Sequence, residues 1–315
     1  MRMLVTLLLV TVGIISFSVI APPVAGSTTS VLVLCDGKVL DGYTIRPVVL
    51  KEGVALDPTV QKVIRNCTFK NAALPAIAIW SAKNVLIEGN TFENIRSHQA
   101  GIGVHAINIP CRVPCAIDNV VIRNNTFRSI GADGIQLGEE SRTIANVWIE
   151  GNQFEGSEDV GENAIDIKGV NGPIYVRDNL MHGFRPCQSP KSNPPGTQDC
   201  TGSNGTAMVI HTGTSGAPNN VTVENNDFYD STRGLEVSTG SSNIIIRGNR
   251  IYNNLSLGLL VNQAFSIQVL NNTFTNNPTQ LKIQNTPQVG GSCTVLGNVF
   301  SGTGGGMVLK NSICH

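Results

Sequence analysis

The chain has 315 residues, and its 22 basic side chains balance 22 acidic ones, so the formal net charge is zero. That balance supplies no long-range field toward nucleic acid or an anionic membrane, which argues against both as partners of the mature chain. With 41% hydrophobic and 14% charged residues, the sequence can bury a large core and is not a disordered chain.

At the N-terminus, "MRMLVTLLLVTVGIISFSVIAPPVAGSTTS" sets Arg2 before an apolar run from Met3 to about Ala21. The small residues of "VAGS" then suit signal-peptidase cleavage near Gly26. The predicted layout is a signal peptide over 1–26, an N-terminal cap and first coil over 27–59, and repeats over 60–315. Because the run is long for a signal peptide, an uncleaved single-span anchor is the alternative. The expected location is secreted or extracytoplasmic. Eight cysteines fit an oxidising compartment. Locality pairs Cys35 with Cys67, Cys111 with Cys115, Cys187 with Cys200 and Cys293 with Cys314. No CxxC or HExxH motif argues for zinc.

From residue 84 onward one phrase recurs: "NVLIEGNTFENI", "NVVIRNNTFRSI" at 119, "NVWIEGNQFEGS" at 146, and five later variants. Its Asn falls at 90, 125, 152, 179, 226, 249, 272 and 298, and two residues on comes Phe92, Phe127, Phe154, Met181, Phe228, Ile251, Phe274 or Phe300. Cys67 and Phe69 hold the same places in a first, degenerate copy. Each copy contains short runs alternating with period two, and no segment after the N-terminal run has a helical period. Units of strand and turn alone cannot bury their apolar face, so they must stack. A unit with three short strands forms one coil of a parallel β-helix. The predicted fold is therefore an all-β, single-stranded parallel β-helix of about ten coils, with the Asn as an inward ladder and the Phe as an apolar stack.

The phrase resembles the repeat of the right-handed parallel β-helix superfamily, which includes pectate lyases and polygalacturonases alongside adhesins and tailspikes. The resemblance implies a right-handed solenoid and leaves the activity open.

Stacking puts distant residues side by side. The second strand of each repeat aligns as "AIAIW" (76–80), "GIGVH" (101–105), "GIQLG" (134–138), "AIDIK" (164–168), "AMVIH" (207–211), "GLEVS" (234–238) and "GLLVN" (258–262). The second and fourth positions point inward, so the third and fifth form two outward columns. The third reads Ala78, Gly103, Gln136, Asp166, Val209, Glu236, Leu260; the fifth reads Trp80, His105, Gly138, Lys168, His211, Ser238, Asn262. Lys168 and His211 should be neighbours, with Asp133 one coil below Asn163 and Arg233 over the same edge. Long insertions at 106–118 and 182–204 are expected to wall a groove around them. Glu139 and Glu140 are assigned to a solvated turn.

Two acids and a cationic column in one groove suit β-elimination on an acidic polysaccharide, which needs a cation beside the uronate carboxylate and a base for the C5 proton. "ENAID" is similar to the calcium site of one pectate-lyase family, with Glu162, Asn163 and Asp166 on one coil and Asp133 from the coil before. Asn163 replaces an acid, and Val209 stands where that family has its catalytic lysine. The resemblance thus implies Ca²⁺ as cofactor; in place of the missing lysine, the coil register makes Lys168 or His211 the candidate base and sets Arg233 to hold a substrate carboxylate. A lysine base would need a nearby Ca²⁺ to depress its pKa; His211 needs no such shift. Trp80, His105, Gln136 and Glu236 are the expected substrate contacts, Trp80 as a stacking platform. Hydrolysis by Asp166 and Glu236, roughly 10 Å apart, is a second reading, although the polygalacturonase signatures "NTD", "GHG" and "RIK" are absent. A non-catalytic, glycan-binding or structural monomer is the third.

Overall fold

In the computed structural model, residues 30–42, 48–50, 59–96, 103–111, 115–139, 143–156, 161–186, 205–286, 292–312 and 314 are described. The predicted signal sequence lies outside them. Among the described residues no helix is long and apolar enough to cross a membrane.

Short alternating runs cannot lengthen here because each is stopped by a residue in the left-handed region. Asn66, Gly89, Asn124, Gly151, Asp178, Asn225, Gly248, Asn271 and Gly297 all have φ of 53–68°, a conformation that Gly, Asn and Asp adopt with least strain. The chain bends there in every coil. The outcome is three ten-stranded parallel sheets, each taking one strand per coil, and every strand pairs with its counterparts one coil away. The first coil is built from Val31–Asp36, Val39–Asp41 and Val48–Leu50.

Inside, like residues stack on like. Phe69, Phe92, Phe127 and Phe154 lie nearly parallel with centroids 5.0, 4.7 and 4.5 Å apart, and Phe274 and Phe300 extend the column at 5.2 Å. Beside them runs the predicted Asn ladder. Asn179 is typical: its Nδ2 donates to Asn226 Oδ1 at 2.9 Å and to the Ile149 carbonyl at 2.9 Å, while its Oδ1 accepts from Asn152 Nδ2 at 3.0 Å and Asn152 N at 2.9 Å. Ladder and stack together satisfy the polar groups of the turn and pack the interior. A second ladder, Asn254 to Asn277 to Gln280, seals the next corner. Disulfides join Cys35–Cys67, Cys111–Cys115 and Cys293–Cys314 as expected; the Cys187–Cys200 pairing lies outside the described residues.

The last outward position of the first sheet carries alternating charge. Coil by coil it reads Asp36, Arg65, Glu88, Arg123, Glu150, Arg177, Glu224, Arg247. Arg65 meets Asp36 at 2.8 Å, Arg123 meets Glu88 at 2.6 Å, Arg177 meets Glu150 at 2.7 Å, and Arg247 meets Glu224 at 2.6 Å. Slipping one strand along its neighbour would separate each pair, so the ladder adds specificity to the register. Arg177 is the most enclosed of these arginines, its side chain 11% exposed. Arg177→Glu sets three carboxylates on consecutive rungs and should lower unfolding free energy by about 2–4 kcal/mol, read from urea denaturation.

Candidate functional site

The third sheet builds the site. Ile165 and Ile167 are fully buried, so the alternation of strand Ile165–Lys168 turns Asp166 and Lys168 outward. As predicted, the column runs Gln136, Asp166, Val209, Glu236, Leu260, and Lys168 pairs in register with His211.

One coil departs from the expected register. The strand beneath Gln136 is Ile107–Ile109, so Asn108 occupies the place assigned to Gly103, and His105 leaves the outward column. Both "GIGVH" and "AINIP" alternate, but the first has glycine at two positions, which weakens a strand, and the second offers two isoleucines to the core. Part of the expected 106–118 insertion is consequently core strand. His105 instead precedes that strand, with Nδ1 3.0 Å from Asp133 Oδ2.

Glu162, Asp166, Lys168, Val209, His211 and Glu236 line a groove of about 300 Å³. Within it, Lys168 Nζ lies 3.2 Å from Asp166 Oδ2 and 3.1 Å from Glu139 Oε2, and His211 Nε2 lies 3.1 Å from Asp166 Oδ1. Asp166 thus lies against both side chains, one on each oxygen. Behind it Asp133 is fully buried and accepts from Asn163 Nδ2 at 3.3 Å. Glu139 does not sit on a solvated turn: it folds back at a φ of 121° and reaches Lys168. Glu140 lies outside the described residues.

These contacts set the protonation states. Burial alone would lower Lys168, but the charges of Asp166, Asp133 and Glu139 more than offset it and hold the ammonium above its ordinary range. Burial also opposes charge on His211, yet Asp166 prevails and raises the imidazole; His105 is raised likewise against burial by Asp133, Glu162 and Asp166. Asp133 is pushed upward by burial and by Asp166, with His105 opposing. Glu162 is raised to about 7, first by burial and then by the charge of Asp133. It is an acid poised to exchange a proton near neutrality.

The sign of the Glu162 shift gives a stability prediction. With its folded value about 7 against an ordinary 4.5, the native state binds the proton more tightly than the unfolded chain. A penalty therefore grows as pH rises between those values and is complete above the higher one. Glu162→Gln removes it. The variant should unfold at a higher urea concentration than the parent at pH 8, and the gain should vanish below about pH 4.5.

Several expected roles change with this geometry. The carboxylates around Lys168 favour its ammonium form over the neutral form that a lysine base requires. Of the expected calcium ligands, Asp166 has Lys168 and His211 within 3.2 Å of its two oxygens, and Asp133 lies against Asn163 and His105. Asp133 Oδ2 and Asp166 Oδ1 are buried without a hydrogen-bond partner. Among the described residues no group of three or more His, Cys, Asp or Glu stands ready to hold a metal. Arg233 is engaged by Glu236 at 2.7 Å. Gln136 is buried beneath Asp166 and supports it rather than lining the groove. Trp80 lies three coils below Lys168, away from the groove.

Three parallel sheets wound one strand at a time, with polar side chains gathered along one of them, define a parallel β-solenoid with a lateral groove. The chain belongs to the family described as the right-handed beta helix region, which it matches over residues 30–179 and 115–313. Curated proteins yielded no match. Among solved structures it is similar to the A-module of the mannuronan C-5 epimerase AlgE6 of Azotobacter vinelandii, at 17% identity and TM-score 0.58 over 89% of this chain and 71% of that one. It is also similar to the surface protein and adhesin PfbA of Streptococcus pneumoniae, at 17% identity and TM-score 0.56 over 86% and 74%. The exopolygalacturonase of Thermotoga maritima matches at 14% identity and TM-score 0.51 over 90% and 85%. At these identities the likeness establishes the shared fold.

Proposed function

We propose that this chain is an exported carbohydrate-active β-helix that cleaves an acidic polysaccharide by β-elimination in the mid-helix groove. The observation that carries this reading is the convergence of His211, Lys168 and Glu162 on one groove. That two of the three similar folds, the epimerase and the exopolygalacturonase, bear names of polysaccharide-acting enzymes supports the substrate class.

In this reading His211 is the base. Asp166 engages its Nε2, which leaves Nδ1 for the proton on C5 of a uronate. Lys168 sits beside the imidazole as a permanent cation and stabilises the negative charge that grows on the uronate carboxylate. As the C4–O4 bond breaks, Glu162 gives its proton to the leaving oxygen. The products are a C4=C5 unsaturated sugar and a chain ending in a free hydroxyl. Solvent then takes the proton from His211 and restores that of Glu162.

Hydrolysis is the second reading, favoured by a protonated Glu162 standing among the carboxylates of Asp166 and Glu236. Incubation with pectate, alginate and glycosaminoglycans, with and without EDTA, separates the two. Unsaturated uronide detected by ultraviolet absorbance supports elimination, and persistence of the signal in EDTA assigns the cation's role to Lys168. Loss of that signal in EDTA would restore a metal to the site. New reducing ends without absorbance support hydrolysis, and no product from any polymer overturns both and leaves a binding protein.

A further inference from the structure

Away from the groove, the outward face of the second sheet changes character along the helix. Its third-position column reads Asp41, Lys70, Glu93, Arg128 and Glu155 through five coils, then His182, Tyr229 and Tyr252, then Thr275 and Ser301. The charged section is a second alternating ladder. The aromatic section is a coaxial stack: His182 and Tyr229 lie 4.8 Å apart at 13°, Tyr229 and Tyr252 5.0 Å apart at 5°. Each ring therefore fills one rung of the coil repeat.

The stack stops at Tyr252. On the next two rungs stand only Thr275 and Ser301, their hydroxyls 2.9 Å apart. A threonine side chain extends no further than its γ atoms, so the outer half of the upper face of Tyr252 projects past it. Polar groups border that notch. On the following turn Asn276 donates to Asn253 at 3.2 Å and accepts the Thr303 backbone N–H at 3.1 Å. Arg250, two residues from Tyr252 on the same strand, turns the other way, to Asp227 on the rung below. None of these residues lines the groove.

We propose that the notch above Tyr252 is a second carbohydrate-binding site, taking one pyranose ring where a fourth aromatic rung is missing. A pyranose has an apolar C–H face and a rim of hydroxyls. The face stacks on an aromatic ring at about the rung spacing already set by the tyrosines. The rim meets the hydroxyls of Thr275 and Ser301, each with donor or acceptor capacity beyond their mutual bond, and the amide of Asn276. A purely apolar ligand would make nothing of this polar edge, and a purely anionic one would gain nothing from the ring. The choice of a glycan as ligand rests on the reading of the groove, but the site itself owes nothing to the groove's chemistry.

Native gels containing polygalacturonate, alginate or galactomannan test this, using the full chain with Glu162→Gln so that the polymer survives. At least one polymer should retard the protein. Tyr252→Ala should weaken that retardation about tenfold in apparent Kd, whereas Tyr252→Trp should keep it. Equal retardation of parent and Tyr252→Ala overturns the proposal, as does the absence of retardation in every gel. Retardation that depends on Tyr252 in a protein whose Glu162 form turns over no polymer would overturn the groove's proposed chemistry and leave this site standing.

Discussion

His211→Ala should lower turnover of a uronate polymer by roughly 10²–10⁴-fold, the usual contribution of a positioned general base. The imidazole is one-third exposed to the groove, with its Nε2 turned to Asp166, so its removal takes away the proton acceptor without opening the core. Fold stability should change little, since His211 ends its strand and its inward neighbour Ile210 stays buried. Lys168→Ala should behave differently. It leaves Asp166 and Glu139 without their ammonium partner and should cost both turnover and stability, the loss in stability reaching about 3 kcal/mol. Side-by-side urea denaturation and initial rates distinguish the two variants: an inactive but stable His211→Ala is the mark of a base.

The second large effect belongs to the interior. Asn179→Ala should reduce unfolding free energy by about 3–5 kcal/mol. It orphans the backbone N–H of Asn152 and the carbonyl of Ile149, and leaves Oδ1 of Asn226 with one donor in place of two, in a region closed to water. Because the ladder is continuous, the loss falls on two neighbouring coils at once. Asn298→Ala is the comparison. It ends the ladder, where its contact with Asn272 is only partly buried, and water can take over its partners. The same substitution there should cost about 1–2 kcal/mol. Similar losses at the two positions, measured by urea denaturation, would deny the ladder its role.

The fold was legible in the sequence because every coil repeats the same chemistry at the same place. An Asn followed two residues later by a Phe means ladder and stack wherever it recurs, and eight recurrences leave one architecture. The charge ladder of the first sheet was equally open to reading. The residue two before each Asn or Cys reads Arg65, Glu88, Arg123, Glu150, Arg177, Glu224, Arg247, a pattern that emerges only when coils are compared at that position.

The candidate site was legible in part. Asp166, Lys168 and His211 follow from strand alternation and one-coil registry, and the structure puts them together. His105 was misplaced because two alternating windows five residues apart compete for one strand, and glycine content decides between them. Glu139 escaped because a loop residue has no periodicity to follow; only its left-handed backbone turns it back to Lys168. The protonation states were the least readable. Whether Lys168 is a base or a cation depends on how many carboxylates surround it, and two of them, Asp133 and Glu139, come from a different coil.

The pH dependence of kcat/KM, measured beside that of Glu162→Gln, tests the acid–base assignment most directly. His211 must be neutral to accept a proton, so the rate should rise as pH climbs through its value, which lies above the ordinary 6.5. Glu162 must be protonated to donate one, so the rate should fall as pH passes about 7. A narrow bell near neutrality is the expected profile, with the alkaline limb absent from the residual activity of Glu162→Gln. A flat profile, or an alkaline limb that survives in Glu162→Gln, would contradict the assignment.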